Sequence, residues 1–181
     1  MKIYEDVLPY KLLQKCIEEL RSSLKSKVWG ISNLFWDDIL KVGLVGNVST
    51  KHLPDELSLE VHEVVSKYFS KIGNDFMYQY YIWNKMAGIS NHDDGLHAEG
   101  ATLYLNEIWD PNWGGLFVWK DKDEAKEYNL NAICPKQNML IINDEQEMHL
   151  VTPVAPTIPH IRVTIQIWNF FSSDTKTLNR I

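Results

Sequence analysis

The chain has 181 residues, enough for one domain built around a single sizeable core. At 45% hydrophobic and 23% charged it has the make-up of an ordinary globular protein, and no apolar run approaches the roughly 20 residues that a membrane helix needs. A formal net charge of −6 with no basic cluster disfavours a nucleic-acid binder, and Met1-Lys2-Ile3-Tyr4-Glu5-Asp6 lacks the apolar core of a signal peptide, so a cytoplasmic location is expected.

The N-terminal part reads as helical. Pro9 suits a first helical position, and Leu12, Leu13, Cys16, Ile17, Leu20 and Leu24 then form one apolar stripe. Cys16 lies in that stripe and reads as a buried thiol; with Cys134 the only other cysteine, no disulfide framework is expected. Residues 29–50 are mixed and carry no assignment. A second helix is expected from near Pro54, with Leu57, Val61, Val64, Val65, Tyr68, Phe69 and Ile72 inward and Gly73 as its C-terminal cap.

Beyond Gly73 the pattern changes. Short strands are expected at 76–83, 101–105, 116–119, 139–142, 150–154 and 161–170, with Gly, Pro, Asn and Asp in the gaps. Many short strands at this spacing read as an antiparallel sandwich or barrel. Helices first and strands after give an α+β chain, mainly β, with the helices packed on one side of the sheets. The expected division is one domain, with a helical buttress over about 1–73 and a strand core over about 74–171. The charged run 120–127 reads as a solvated loop or short helix.

Two groups of chemistry-bearing residues sit on these strands. His92-Asp93-Asp94-Gly95 follows the aromatic strand 76–83, and His92 and Asp94, two apart, face the same side of extended backbone. One imidazole and one carboxylate need a further ligand, and His149, which opens the strand at 150–154, is the best candidate. Two histidines and a carboxylate form a facial triad, the arrangement of non-haem Fe(II) oxygenases. A bare His-x-Asp is weak by itself and reads also as two polar residues in a turn. The rival pair His97-Ala98-Glu99 is disfavoured because Glu99 lies only five positions before Tyr104, which leaves no room for a turn. Further on, Arg162, Thr164, Gln166 and Trp168 share one face of a strand, with Val163, Ile165 and Ile167 on the other. An arginine inside a barrel is costly unless paired. A bound dicarboxylate would pair it bidentately; a buried salt bridge is the alternative.

These motifs occur in order with Tyr104-Leu105-Asn106, Trp109-Asp110, Trp113-Gly114-Gly115-Leu116 and His149-Leu150-Val151-Thr152-Pro153, and with Trp168 six positions beyond Arg162. The set resembles the prolyl-hydroxylase branch of the Fe(II)/2-oxoglutarate dioxygenases over roughly residues 80–170. That resemblance implies a double-stranded β-helix, or jelly roll, buttressed by the N-terminal helices. It implies Fe(II) on His92, Asp94 and His149, with Arg162 and the Tyr104 hydroxyl holding the distal carboxylate of 2-oxoglutarate. Tyr81 matches the family's strand tyrosine, Thr164 assists the arginine, and Trp168 borders the substrate side. Trp83 is likewise expected on the substrate side, and with Tyr78 and Trp119 it is expected to line or shield the pocket. O2 is the implied oxidant and ascorbate a supporting reductant. The implied reaction hydroxylates a C–H bond and releases succinate and CO2. A prolyl residue in a peptide or protein is the favoured substrate, and a free amino acid or other small molecule is the alternative. Asp94 argues against a halogenase, and a non-oxygenase cupin-like protein would leave Arg162 and Tyr104 unexplained. The stretch from His149 to Arg162 is longer than usual for this branch, so residues 155–160 are expected to make a wide turn.

Overall fold

The computed structural model describes the chain except for residues 27–28, 32–35, 44–45, 72–74, 95–97, 121–128, 145–146 and 171–181. The Gly73 cap, His97 and nearly all of the charged run 120–127 therefore lie outside the described residues.

Helix α1 (Tyr10–Ser23) starts directly after Pro9, which stands one place earlier than expected, at the N-cap with φ −54°. Its stripe buries Leu13, Cys16 and Leu20, while Leu24 at the end is 45% exposed. Helix α2 (Asp55–Val65) follows Pro54 and carries Asp55 and Glu56 in its first turn, where the helix dipole favours negative charge. It buries Leu57, Val61 and Val65 and ends seven residues short of Ile72, the last inward position of the apolar pattern. Residues Ser66–Tyr68 tighten into a 3-10 turn, and Phe69 is extended. Two contacts draw the chain out of the helix. The Phe69 ring packs edge-on against Phe76, centroids 5.3 Å apart, and the N–H groups of Ser70 and Lys71 donate to the buried Glu99 carboxylate at 3.0 and 2.9 Å.

The strands form two sheets in which every pairing is antiparallel. The larger runs β1 (Lys2–Tyr4), β9 (Leu140–Asp144), β6 (Glu99–Tyr104), β11 (Arg162–Phe170), β4 (Asp75–Trp83), β3 (Val48–His52) and β2 (Gly30–Ile31). The smaller runs β5 (Ile89–His92), β10 (His149–Val151), β7 (Phe117–Lys120) and β8 (Leu130–Ile133). This is the expected mainly-β jelly roll. Five of these strands, β1, β2, β3, β5 and β8, were not legible in the sequence. They have two to five residues each, with little of the apolar alternation that reveals a strand. Three of them also lie in the N-terminal part, which is therefore helix and strand together.

Period-two alternation divides the large sheet into two chemistries. Tyr80, Ile82, Leu103, Leu140, Ile142, Val163, Ile165 and Ile167 face α1 and α2 in one core. Tyr81, Trp83, Tyr104, Met139 and Ile141 face the small sheet, where Phe117, Val151, Val154 and Ile158 meet them. Tyr78, expected at the pocket, faces the helices instead, and its hydroxyl lies 2.8 Å from His62 Nδ1. The strand parity decides this: Tyr78 shares its face with Tyr80 and Ile82, not with Tyr81 and Trp83. Ile158, only 3% exposed, anchors the wide turn between β10 and β11. Among the described residues no helix is long and apolar enough to cross a membrane.

Candidate metal and cosubstrate site

His92 closes β5 and His149 opens β10, and the pairing of these strands sets the two residues opposite each other. Their ring centroids are 4.3 Å apart. Each Nδ1 lies 2.7 Å from a backbone carbonyl two residues upstream, that of Ser90 for His92 and of Glu147 for His149. Donation to a carbonyl keeps the proton on Nδ1 and leaves the Nε2 lone pair free to bind a metal. Asp94 stands between the two Nε2 atoms, with Oδ1 3.6 Å from that of His92 and Oδ2 3.6 Å from that of His149. One ligand atom from each of the three lies within 4.8 Å of the others. The donor set fits Fe(II): two neutral imidazoles and one carboxylate on one side of an ion, the other side open.

The charges in this cluster are coupled. Burial works to lower His92, but the Asp94 carboxylate beside it outweighs burial and holds the imidazole above its ordinary value. Burial lowers His149, and Asp94 offsets this only in part. Burial works to raise Asp94, yet the two histidines overcome it and keep the carboxyl below its usual range. Phe117 stacks on His149 at 5.1 Å and 12°, fixing the ring plane. Asn143 on β9 donates from Nδ2 to Asp94 Oδ2.

At the far end of the same inner face lies Arg162, fully buried. Its guanidinium carbon sits 4.6 Å from the Trp83 ring centroid and 5.2 Å from that of Tyr104. Nη2 reaches the Tyr104 hydroxyl at 3.4 Å, while Nε and Nη1 are buried with no hydrogen-bond partner among the described residues. Burial lowers the guanidinium's affinity for its proton, and Tyr104 offsets part of that. Burial raises the Tyr104 hydroxyl, and Arg162 counteracts it only in part, so the phenol keeps its proton. Thr164, next on this face, accepts from Trp83 Nε1 at 3.2 Å and is the register partner of both Tyr81 and Tyr104. The salt-bridge alternative fails among the described residues, because no carboxylate there meets Arg162. A buried cation with two idle donors is costly, and a bound carboxylate is the group that would satisfy both.

A profile of the 2OG-Fe(II) oxygenase superfamily matches residues 76–170, more than half of the chain. The chain belongs to this superfamily. No curated protein matches the sequence. Among solved structures, a Pseudomonas putida prolyl-4-hydroxylase superposes on the oxygenase with a TM-score of 0.68 at 16% identity, over 94% of this chain and 91% of that one. A prolyl hydroxylase from Trichoplax adhaerens, in complex with a hypoxia inducible factor oxygen degradation domain peptide fragment, gives 0.72 at 16% identity, over 97% and 86%. The non-heme alpha-ketoglutarate-dependent epimerase SnoN of nogalamycin biosynthesis gives 0.65 at 10% identity, over 94% and 78%.

The remaining expected site residues of the oxygenase divide between the metal cluster and the surroundings of Arg162. Tyr81, 6% exposed, points inward beside Trp83, ring centroids 6.0 Å apart. Trp83, expected on the substrate side, lies against Arg162, because the pairing of β4 with β11 sets the two opposite each other. Trp168 lies at the metal end, opposite Gly100, and its Cζ3 comes within 3.2 Å of where a Gly100 Cβ would stand. Trp119 is the register partner of His149 on β7. The Gly114-Gly115 pair has a steric cause. Both residues have positive φ, 67° and 62°, and a Cβ would fall 2.1 Å from the Pro153 carbonyl oxygen at Gly114 and 2.7 Å from Arg162 Cδ at Gly115. Glu99, half of the rival ligand pair, is spent on Ser70 and Lys71. Asn143 went unnoticed in the sequence; its one signal is a polar side chain on the inward parity of an apolar strand.

Proposed function

We propose that the protein is an Fe(II)- and 2-oxoglutarate-dependent dioxygenase, a single catalytic domain that hydroxylates a prolyl residue in a peptide or protein. Bound Fe(II), 2-oxoglutarate and O2 supply the power to hydroxylate a C–H bond, with release of succinate and CO2. His92, Asp94 and His149 would hold the iron, their ligand atoms lying within 4.8 Å of one another. The observation that carries this reading is the pair of idle donors on buried Arg162. The aromatic faces of Trp83 and Tyr104 cover the guanidinium, and its donor edge takes the distal carboxylate of 2-oxoglutarate. Tyr104 and Thr164 each accept a hydrogen bond and keep a hydroxyl proton to donate to that carboxylate. Tyr81 walls the same end. Phe117 and Trp168 exclude water from the metal end, and the Trp168 indole offers an apolar wall of a size suited to a proline ring.

Three features favour a peptide. The Tyr-Leu-Asn, Trp-Asp and Gly-Gly-Leu block resembles prolyl hydroxylases. Fold likeness extends to a prolyl hydroxylase seen with a peptide fragment. No basic stripe is present to follow a phosphate backbone. The test is incubation with Fe(II), 2-oxoglutarate and ascorbate against proline-rich peptides, free L-proline and alkylated single-stranded DNA, read by mass spectrometry. One added oxygen on a peptide proline is the expected result. Oxidation of free proline alone would keep the enzyme class and replace the substrate; loss of the alkyl group from DNA with no oxidised peptide or proline would overturn the substrate class.

A further inference from the structure

We propose that Asn143 is a positioning residue for the metal centre: its amide holds the Asp94 carboxylate so that one oxygen is kept for the ion, and the bare backbone of Gly100 provides the space this contact needs. The inference rests on the reading of His92, Asp94 and His149 as metal ligands.

The three ligands are anchored differently. His92 and His149 stand on paired strands, and each ring is fixed by a carbonyl two residues back. Asp94 lies two residues past the end of β5, so no sheet pairing holds its backbone. Its side chain gets direction from Asn143, which is 1% exposed and whose Nδ2 donates to Oδ2. A carboxylate on a metal can turn to bind through one oxygen or both. A donor seated on Oδ2 engages that oxygen and favours binding through Oδ1 alone, which keeps a further position open on the ion.

Gly100 carries the second, independent observation. It is the register partner of Asn143 on one side and of Trp168 on the other. A Cβ there would lie 2.6 Å from Asp94 Oδ2 and 3.2 Å from both Asn143 Nδ2 and Trp168 Cζ3. The missing side chain therefore faces the carboxylate–amide contact itself. Its φ is ordinary, so steric room, not backbone conformation, explains glycine at this position. Among the described residues every ligand of the triad then has an outer partner, a carbonyl for each imidazole and an amide for the carboxylate.

The test uses Mn(II) and Co(II) as probes on the metal-free full chain without cosubstrate. Asn143→Leu keeps the branched shape and removes the donor; Gly100→Ala keeps the donor and fills its space. Each is expected to weaken Mn(II) binding roughly 10–100-fold, the usual cost of losing an outer partner, and to change the visible absorption of bound Co(II), which reports coordination and not overall stability. Should Asn143→Leu fail to fold, Gly100→Ala decides alone. Mn(II) affinity within twofold of the parent and an unchanged Co(II) spectrum would overturn the positioning role. Asp94→Ala and His149→Ala run alongside: if they bind Mn(II) as the parent does, the ligand assignment beneath the proposal has failed instead.

Discussion

At the scale of single residues, the site depends on charges that are buried before any ligand arrives. Arg162 has aromatic rings against its guanidinium and two donors without partners among the described residues. Replacing it with alanine removes a charged partner from a bound carboxylate, which costs roughly 2–5 kcal/mol. The 2-oxoglutarate needed for half-maximal succinate formation should therefore rise by about 30-fold or more. Arg162→Lys keeps the charge without the fork and should fall between the parent and alanine. Tyr104→Phe deletes one neutral donor and should shift the same quantity by roughly tenfold or less. An unchanged requirement in Arg162→Ala would remove the residue from the site. His92 gives a pH dependence whose sign follows from its raised value. A ligating imidazole must be neutral, so protons compete with metal, here to a higher pH than for an ordinary imidazole. Without metal, the protonated His92 beside Asp94 stabilises the fold below about pH 6.5, and that contribution is lost as pH rises through the raised value. Mn(II) affinity should accordingly climb with pH across this window and level off once His92 is neutral. Calorimetric titration over the range checks it, and a flat profile would contradict the coupling.

At the scale of elements, the ends of the helices and strands matter more than their middles. The sequence pattern carried α2 on to Ile72 because Tyr68, Phe69 and Ile72 continue its apolar spacing. It could not reveal that Glu99, some thirty residues on, takes the N–H groups of Ser70 and Lys71. Glu99→Ala strands those donors and should lower unfolding stability by roughly 3 kcal/mol, measured by urea denaturation. Metal stoichiometry of the folded variant should be unchanged, which separates this residue from a ligand. Gly115 joins element to site. With φ 62° and Arg162 Cδ at 2.7 Å from a virtual Cβ, Gly115→Ala should push Arg162 aside and raise the 2-oxoglutarate requirement, leaving Mn(II) affinity nearly as it was. Equal loss of both would point to general unfolding instead.

At the scale of the molecule, the large sheet separates two jobs. One face is a continuous apolar core against α1 and α2, and the other turns aromatic and polar side chains toward the small sheet. That division was legible in the alternation of Arg162 to Trp168 and of the aromatic strand, as was the gathering of His92, Asp94 and His149. Asn143 was not, because a polar residue near the end of an apolar strand gives no sign of what it touches, and β1, β2, β3, β5 and β8 were not, because they lack an apolar alternation of their own. Trp83 was expected on the substrate side, and only the register, which sets it opposite Arg162, shows where it lies. The most direct test of the central reading is 2-oxoglutarate binding, measured by calorimetry under anaerobic conditions with and without Fe(II). The parent should bind far more tightly with iron, His149→Ala should lose that iron-dependent gain, and Arg162→Ala should bind weakly with or without iron. Equal 2-oxoglutarate affinity with and without Fe(II), or binding undiminished in Arg162→Ala, would contradict a site in which one dicarboxylate spans the triad and the arginine.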